Sequence, residues 1–200
     1  MTRIIYIHGL NSSPASIKAR QLLAAMQQLG IADQLLLPAL QHHPRQAIAQ
    51  LEALIAAVGK PVLVGSSLGG YYATFLAHRH GLKALLINPS VLPHLRFDQC
   101  QGLQTNFHTG ETWLPTDDHR AALAALQVPP PVDPQRCAVW LQTGDETLDY
   151  REAERYYRAC ALRIEAGGDH GFQGFEQKLP ALFAFAGIDA RLWRDKAFSA

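Results

Sequence analysis

The sequence predicts an α/β protein built on a mostly parallel six-stranded sheet with helices on both faces. Two observations carry this. Short β-branched and apolar runs alternate with stretches of helical periodicity, joined by short turns. The strand-like runs are also apolar at successive positions, as strands covered on both faces must be. At 200 residues the chain is long enough to bury such a sheet in one domain.

The first run is Ile4–Ile7, closed by His8-Gly9. Ser13-Pro14 then reads as a helix start, a hydroxyl N-cap followed by proline at N1. The helical spacing of Ile17, Leu22, Leu23, Met26 and Leu29 continues to Gly30. Residues 35–37 form a short second strand before Pro38, and Pro44–Val58 a helix stopped by Gly59. Residues 61–65 give a third strand, 68–79 a helix, and 84–87 a fourth strand ending at Asn88-Pro89. Strands five and six fall at 137–143 and 162–166, with helices at 150–160 and 176–185.

One segment breaks the rhythm. Residues 91–136 hold prolines, polar residues and one helical stretch, 118–126, before Pro129-Pro130-Pro131 leads stiffly into strand five. An insertion after strand four lies above the carboxyl ends of the sheet, where open α/β sheets bind ligands. We therefore expect one domain over residues 1–188, with 91–136 as a small cap-like insertion and 189–200 as an appended tail. In that tail, Trp193 and Phe198 are expected to dock on the body or on a second subunit.

Composition excludes more than it assigns. Hydrophobic residues make up 48% and charged residues 18%, with a net charge of +1 and no long basic run. That is globular usage, with no concentrated positive field for nucleic acid. The three cysteines, Cys100, Cys137 and Cys160, show no CxxC and no zinc spacing, which suits a reducing compartment. No stretch approaches the ~20 apolar residues of a membrane span, and the expected address is the cytoplasm. His42-His43, and His78 with His80, do not share a helical face and make poor metal sites. No glycine-rich dinucleotide or phosphate loop follows the first strand, so no cofactor is expected. Tyr71-Tyr72 and Tyr156-Tyr157 read as helix packing.

The chemistry concentrates in Gly65-Ser66-Ser67-Leu68-Gly69. Gly-x-Ser-x-Gly alone is a weak signal, but here it follows an apolar strand and opens a helix, the setting of a nucleophile elbow. A serine hydroxyl needs a base to become nucleophilic. In this architecture the order along the chain is serine, acid, histidine, and of the nine histidines only His170 lies beyond residue 119. It sits in a glycine-rich loop just after strand six. Asp145, directly after strand five, is the candidate acid, with Glu146 and Asp149 as competitors. Asp149 is equally placed to cap the next helix. The backbone N–H groups of Leu10 and Leu68 are in position for an oxyanion hole, each donor worth roughly 3 kcal/mol. His8, ahead of the serine, reads as a structural strand-end residue. Asn11, Ser12 and Ser13 read as loop-shaping and capping residues, with a substrate contact open to Asn11.

These blocks are recognisable. His8-Gly9-Leu10-Asn11-Ser12-Ser13-Pro14, Val64-Gly65-Ser66-Ser67-Leu68-Gly69-Gly70-Tyr71-Tyr72-Ala73-Thr74 and Asn88-Pro89 are joined by three more. Those are Gln142-Thr143-Gly144-Asp145-Glu146, Leu148-Asp149-Tyr150, and Gly167-Gly168-Asp169-His170 with Phe172. Together they resemble the small bacterial YqiA/YcfP-type esterases of the α/β-hydrolase superfamily, from about residue 3 to 188. The resemblance implies the α/β-hydrolase fold and a serine hydrolase cleaving small esters or thioesters through an acyl-enzyme. Ser67 and His170 carry over, with Asp145 as acid and Asp149 also inside a matched block. Within 91–136 only Thr109-Gly110 matches, and the tail has no counterpart. Two other readings stay open: an acyltransferase or lactonase using the same triad, and a scaffold binding a ligand or partner without turnover.

Overall fold

The computed structural model describes residues 2–100, 102–131, 133 and 135–198. Its strands are β1 (Ile4–Ile7), β2 (Leu35–Leu36), β3 (Val62–Ser66), β4 (Lys83–Ile87), β5 (Gln104–Thr105), β6 (Thr112–Trp113), β7 (Cys137–Gln142) and β8 (Ala161–Glu165). Six of them form one sheet in the order β2-β1-β3-β4-β7-β8, with every neighbouring pair parallel. The chain runs from β1 outward to β2, then returns to β3 on the other side of β1. That reversal opens a crevice beyond the carboxyl ends of β1 and β3.

Side chains of a strand alternate between faces, and two cores follow. Ile4, Tyr6, Val62, Val64, Leu85 and Ile87 pack against α1 (Ile17–Gln28) and the later helix α6 (Leu179–Ala186). Ile5, Ile7, Leu63 and Leu86 pack against α2 (Pro44–Val58) and α3 (Leu68–His80) on the other face. Burial on both sides explains the continuous apolar runs.

Several boundaries differ from the sequence reading. Helix α1 begins at Ile17 with Ser16 as N-cap, because Ser13 and Pro14 belong to a turn. There the Ser13 carbonyl accepts from the Ser16 N–H, and its hydroxyl accepts from the Ala15 N–H. The helix predicted at 150–160 is α5, Tyr150–Tyr156; beyond it the chain unwinds, and the fully buried Tyr157 bonds Thr74 through its hydroxyl at 2.9 Å. The stretch 176–185 opens as a 3-10 turn, Glu176–Lys178, before α6. Pro180 has no N–H with which to start an α-type ladder at Glu176.

The insertion after β4 is more structured than its composition suggests. It holds a 3-10 helix, Pro93–Cys100, the antiparallel β5–β6 hairpin, and helix α4, Asp117–Ala124. The hairpin is pinned to the loop after β1. Asn11 donates to Gln104 Oε1 and accepts from the Trp113 indole, both at 2.9 Å, while Asn106 donates to the Ser12 carbonyl at 2.8 Å. The tail forms a short helix, α7 (Ala190–Trp193). Trp193 and Phe198 pack against the α1–α6 core, with the Phe198 ring edge-on to Phe183 at 5.5 Å. Among the described residues no helix is long and apolar enough to cross a membrane.

Candidate active site

Strand β3 delivers the chain into a turn that only its glycines allow. A Cβ on Gly65 would run into the Gly69 backbone, and one on Gly69 into the carbonyls of Ile7 and His8. Between them Ser67 takes φ 55° and ψ −123°, a conformation costing about 1–3 kcal/mol for a residue with a side chain. Neighbouring backbone holds it there. The Ser67 N–H donates to Ile87 O at 3.1 Å, and its carbonyl accepts from the Gly70 and Ser90 N–H groups at 2.9 and 3.0 Å.

The loop after β8 brings His170 over this turn. Its Nε2 lies 3.1 Å from Ser67 Oγ, and its Nδ1 lies 2.9 and 2.8 Å from Asp145 Oδ1 and Oδ2. The Asp145 side chain is only 2% exposed, and its Oδ1 also accepts from the Thr147 and Leu148 N–H groups. A carboxylate on one ring nitrogen places a proton at Nδ1 and leaves the Nε2 lone pair facing the serine. The other two acids are occupied elsewhere. Asp149 caps α5 by accepting from Arg151 N–H at 3.0 Å. Glu146 Oε2 accepts from the His170 backbone N–H at 2.9 Å, which holds its carboxyl below the usual range.

Two buried amides to which the sequence reading gave no role hold the histidine loop. Asn88, at φ 40°, donates to Asp169 O at 3.0 Å and accepts from Gln142 N–H at 3.0 Å. Gln142 Oε1 accepts from the Asp169 and Gln173 N–H groups at 3.2 and 2.8 Å, and its Nε2 donates to Gln173 O at 2.8 Å. The available signal was a polar residue at the end of each apolar strand.

Ser67, His170, Leu10 and Leu68 share the wall of a cavity of about 410 Å³. Leu68 is the first residue of α3, so its N–H has no intrahelical acceptor. The insertion supplies much of the remaining wall, including Phe97, Phe107 and Trp113. Tyr72 reaches the cavity as well as the core. Trp113 stacks with His42 and His119 at 5.4 and 5.1 Å. His8 stays outside this chemistry. It accepts from Leu40 N–H at Nε2 and hydrogen-bonds Gly9 O through Nδ1, and burial pushes its pKa down. Among the described residues no group of three or more His, Cys, Asp or Glu could hold a metal ion.

Comparison with known proteins agrees with this fold. The chain is 27% identical over 194 residues to a UPF0227 protein of Shewanella woodyi, covering 91% of this chain and 98% of that one. Est1E of Butyrivibrio proteoclasticus with ferulic acid bound superposes with a TM-score of 0.66 at 14% identity, covering 92% and 88% of the two chains. One of the metagenome-derived lipolytic enzymes LipS and LipT gives 0.65 at 16%, covering 93% and 94%. The pyrethroid hydrolase PytH gives 0.63 at 17%, covering 94% and 99%. The shared architecture is the α/β-hydrolase fold. The model of the uncharacterised protein family UPF0227 matches residues 3–187, and the chain belongs to that family.

Proposed function

We propose that the protein is a serine hydrolase acting on small carboxylic esters or thioesters, with Ser67 as nucleophile, His170 as base and Asp145 as the acid that orients it. The observation that carries this is the hydrogen-bonded chain from Ser67 Oγ through His170 to Asp145, opening on a cavity of about 410 Å³. The lipolytic activity named for one structural neighbour agrees with it.

In the first step Ser67 Oγ attacks the acyl carbonyl while His170 Nε2 takes the hydroxyl proton. The carbonyl oxygen gathers negative charge between the Leu10 and Leu68 N–H groups. Collapse breaks the bond to the leaving oxygen or sulfur, which takes the proton from His170, and an acyl-enzyme remains. Water then attacks the acyl carbon, gives its proton to His170, and releases the acid as that proton returns to Ser67.

The test is intact-mass labelling with a fluorophosphonate, run on the parent, Ser67→Ala and His170→Ala. We expect one adduct in the parent, none in Ser67→Ala, and much slower labelling in His170→Ala. A folded parent that takes no label, or a Ser67→Ala variant labelled as fast as the parent, would overturn the proposal.

A further inference from the structure

Lys18 is the second residue of α1, and its Nζ donates to the Gly171 carbonyl at 2.7 Å. Two local rules oppose a cation in that place. The first turn of a helix already carries the partial positive charge of its free N–H groups, and α1 has no acidic residue there to offset it. Burial opposes it too, bringing Lys18 down from 10.5 to about 8. A residue that breaks local rules marks a place where function outweighs stability.

The groups around the ammonium show what it serves. Gly171 directly follows His170, so the bond from α1 fixes the main chain one residue beyond the imidazole. Glu146 Oε2 fixes the same stretch at the His170 N–H, at 2.9 Å. The ammonium faces Asp169 of this loop and Asp145 of the loop after β7, and both carboxylates pull its proton affinity up. Asp145 is bonded to His170 Nδ1. Asp169 Oδ2 accepts from Gln173 Nε2 at 3.0 Å, while its Oδ1 is shut off from solvent and, among the described residues, has no hydrogen-bond donor. Glu176, one turn further along α1, is bonded to Gln21 Nε2 at 2.7 Å. Three carboxylates, Asp145, Glu146 and Asp169, thus converge on the His170 loop, and Lys18 brings an ammonium to them. A charged donor also holds a carbonyl roughly twice as strongly as a neutral one.

We propose that Lys18 is a positioning residue: its ammonium, clamped on the Gly171 carbonyl and facing Asp169 and Asp145, keeps the His170 ring in line with Ser67. The inference rests on the serine-hydrolase reading and adds to that site a residue which touches neither substrate nor serine. While Lys18 is protonated the loop is held. Once it loses its proton the bond to Gly171 weakens, Asp169 and Asp145 face each other without a counter-charge, and turnover falls.

The experiment compares the parent, Lys18→Met and Lys18→Arg in fluorophosphonate labelling rate, and in kcat and KM on a short p-nitrophenyl ester, from pH 6 to roughly pH 10 with the uncatalysed rate subtracted. At pH 7 we expect Lys18→Met to lose about tenfold or more in labelling rate and in kcat with KM nearly unchanged, and Lys18→Arg to stay within about threefold of the parent. The parent should lose kcat above pH 8, where Lys18 gives up its proton, and Lys18→Arg, whose guanidinium stays charged, should not. A urea midpoint for Lys18→Met no lower than the parent's shows that the loss is local. Lys18→Met keeping half the parental kcat, or an alkaline fall of the same size in parent and Lys18→Arg, would overturn the inference. Should Lys18→Met not fold, the comparison of the parent and Lys18→Arg profiles decides alone. A parent that labels normally under either overturning result leaves the serine-hydrolase reading standing, whereas a folded parent that takes no label removes that reading and this inference with it.

Discussion

Gln142 ends β7 with its side chain buried, the residue as a whole 4% exposed. Replacing it by methionine keeps the volume and removes the amide. The Asp169 and Gln173 N–H groups then lose their acceptor, and the Gln173 carbonyl loses its donor. Each such bond contributes about 1 kcal/mol net, and a buried group left without a partner costs about 1–3 kcal/mol. Water reaching the loosened loop recovers part of this, so Gln142→Met should lose about 2–4 kcal/mol of stability. The groups set free flank His170, so the imidazole loses its registry with Ser67. A displacement of about 1 Å can lower turnover ~10²-fold. We therefore expect kcat on a short p-nitrophenyl ester to fall at least tenfold with KM nearly unchanged. Urea unfolding and steady-state kinetics on the same preparations test both. A variant within about 0.5 kcal/mol of the parent that keeps half its kcat would refute the assignment of Gln142 as a positioning residue.

Three further outcomes follow from the same structure. Ser67→Gly should raise stability by about 1 kcal/mol while abolishing turnover, since glycine adopts the observed backbone angles without strain; thermal unfolding reads this, and a destabilised variant would contradict the strain argument. Asp145→Asn should lower kcat by about 10⁴ through loss of the imidazole orientation, whereas Asp149→Asn, still an N-cap, should stay within a few tenths of a kcal/mol and near parental activity; similar kinetic losses in both would refute the division of roles. Burial pushes Lys18 down from 10.5 to about 8, against the pull of Asp169 and Asp145. Between those two values the folded state binds fewer protons than the unfolded one, so stability rises with pH across the window. Lys18→Met should therefore stabilise below pH 8 by about 1–2 kcal/mol, after subtracting the lost bond to Gly171 O. The gain should fade above pH 10.5. Equal urea midpoint shifts at pH 7 and pH 11 would refute it.

Much of the fold was legible because its signals are local. A parallel sheet covered on both faces must be apolar residue after residue, so Ile4–Ile7 and Val62–Ser66 stand out without any tertiary knowledge. The Gly65–Gly69 turn was equally legible, since the clashes that require its glycines arise wherever a strand turns abruptly into a helix that lies against the sheet. The order of residues along the chain left His170 as the one histidine after the serine's helix and the later strands.

What the chain alone did not determine lies where distant segments meet. Asp145 and Asp149 are four residues apart in one block, and only the position of the His170 ring decides which of them it bonds. The hairpin β5–β6 has two-residue strands too short for a periodic signal; it is held by Asn11, about ninety residues earlier. The Asn88–Gln142 clamp likewise joins residues from separate strands and loops. Periodicity and turn chemistry report the energetics of neighbours in sequence, whereas hydrogen bonds closed across the sheet top depend on a register that exists only once the six strands have paired.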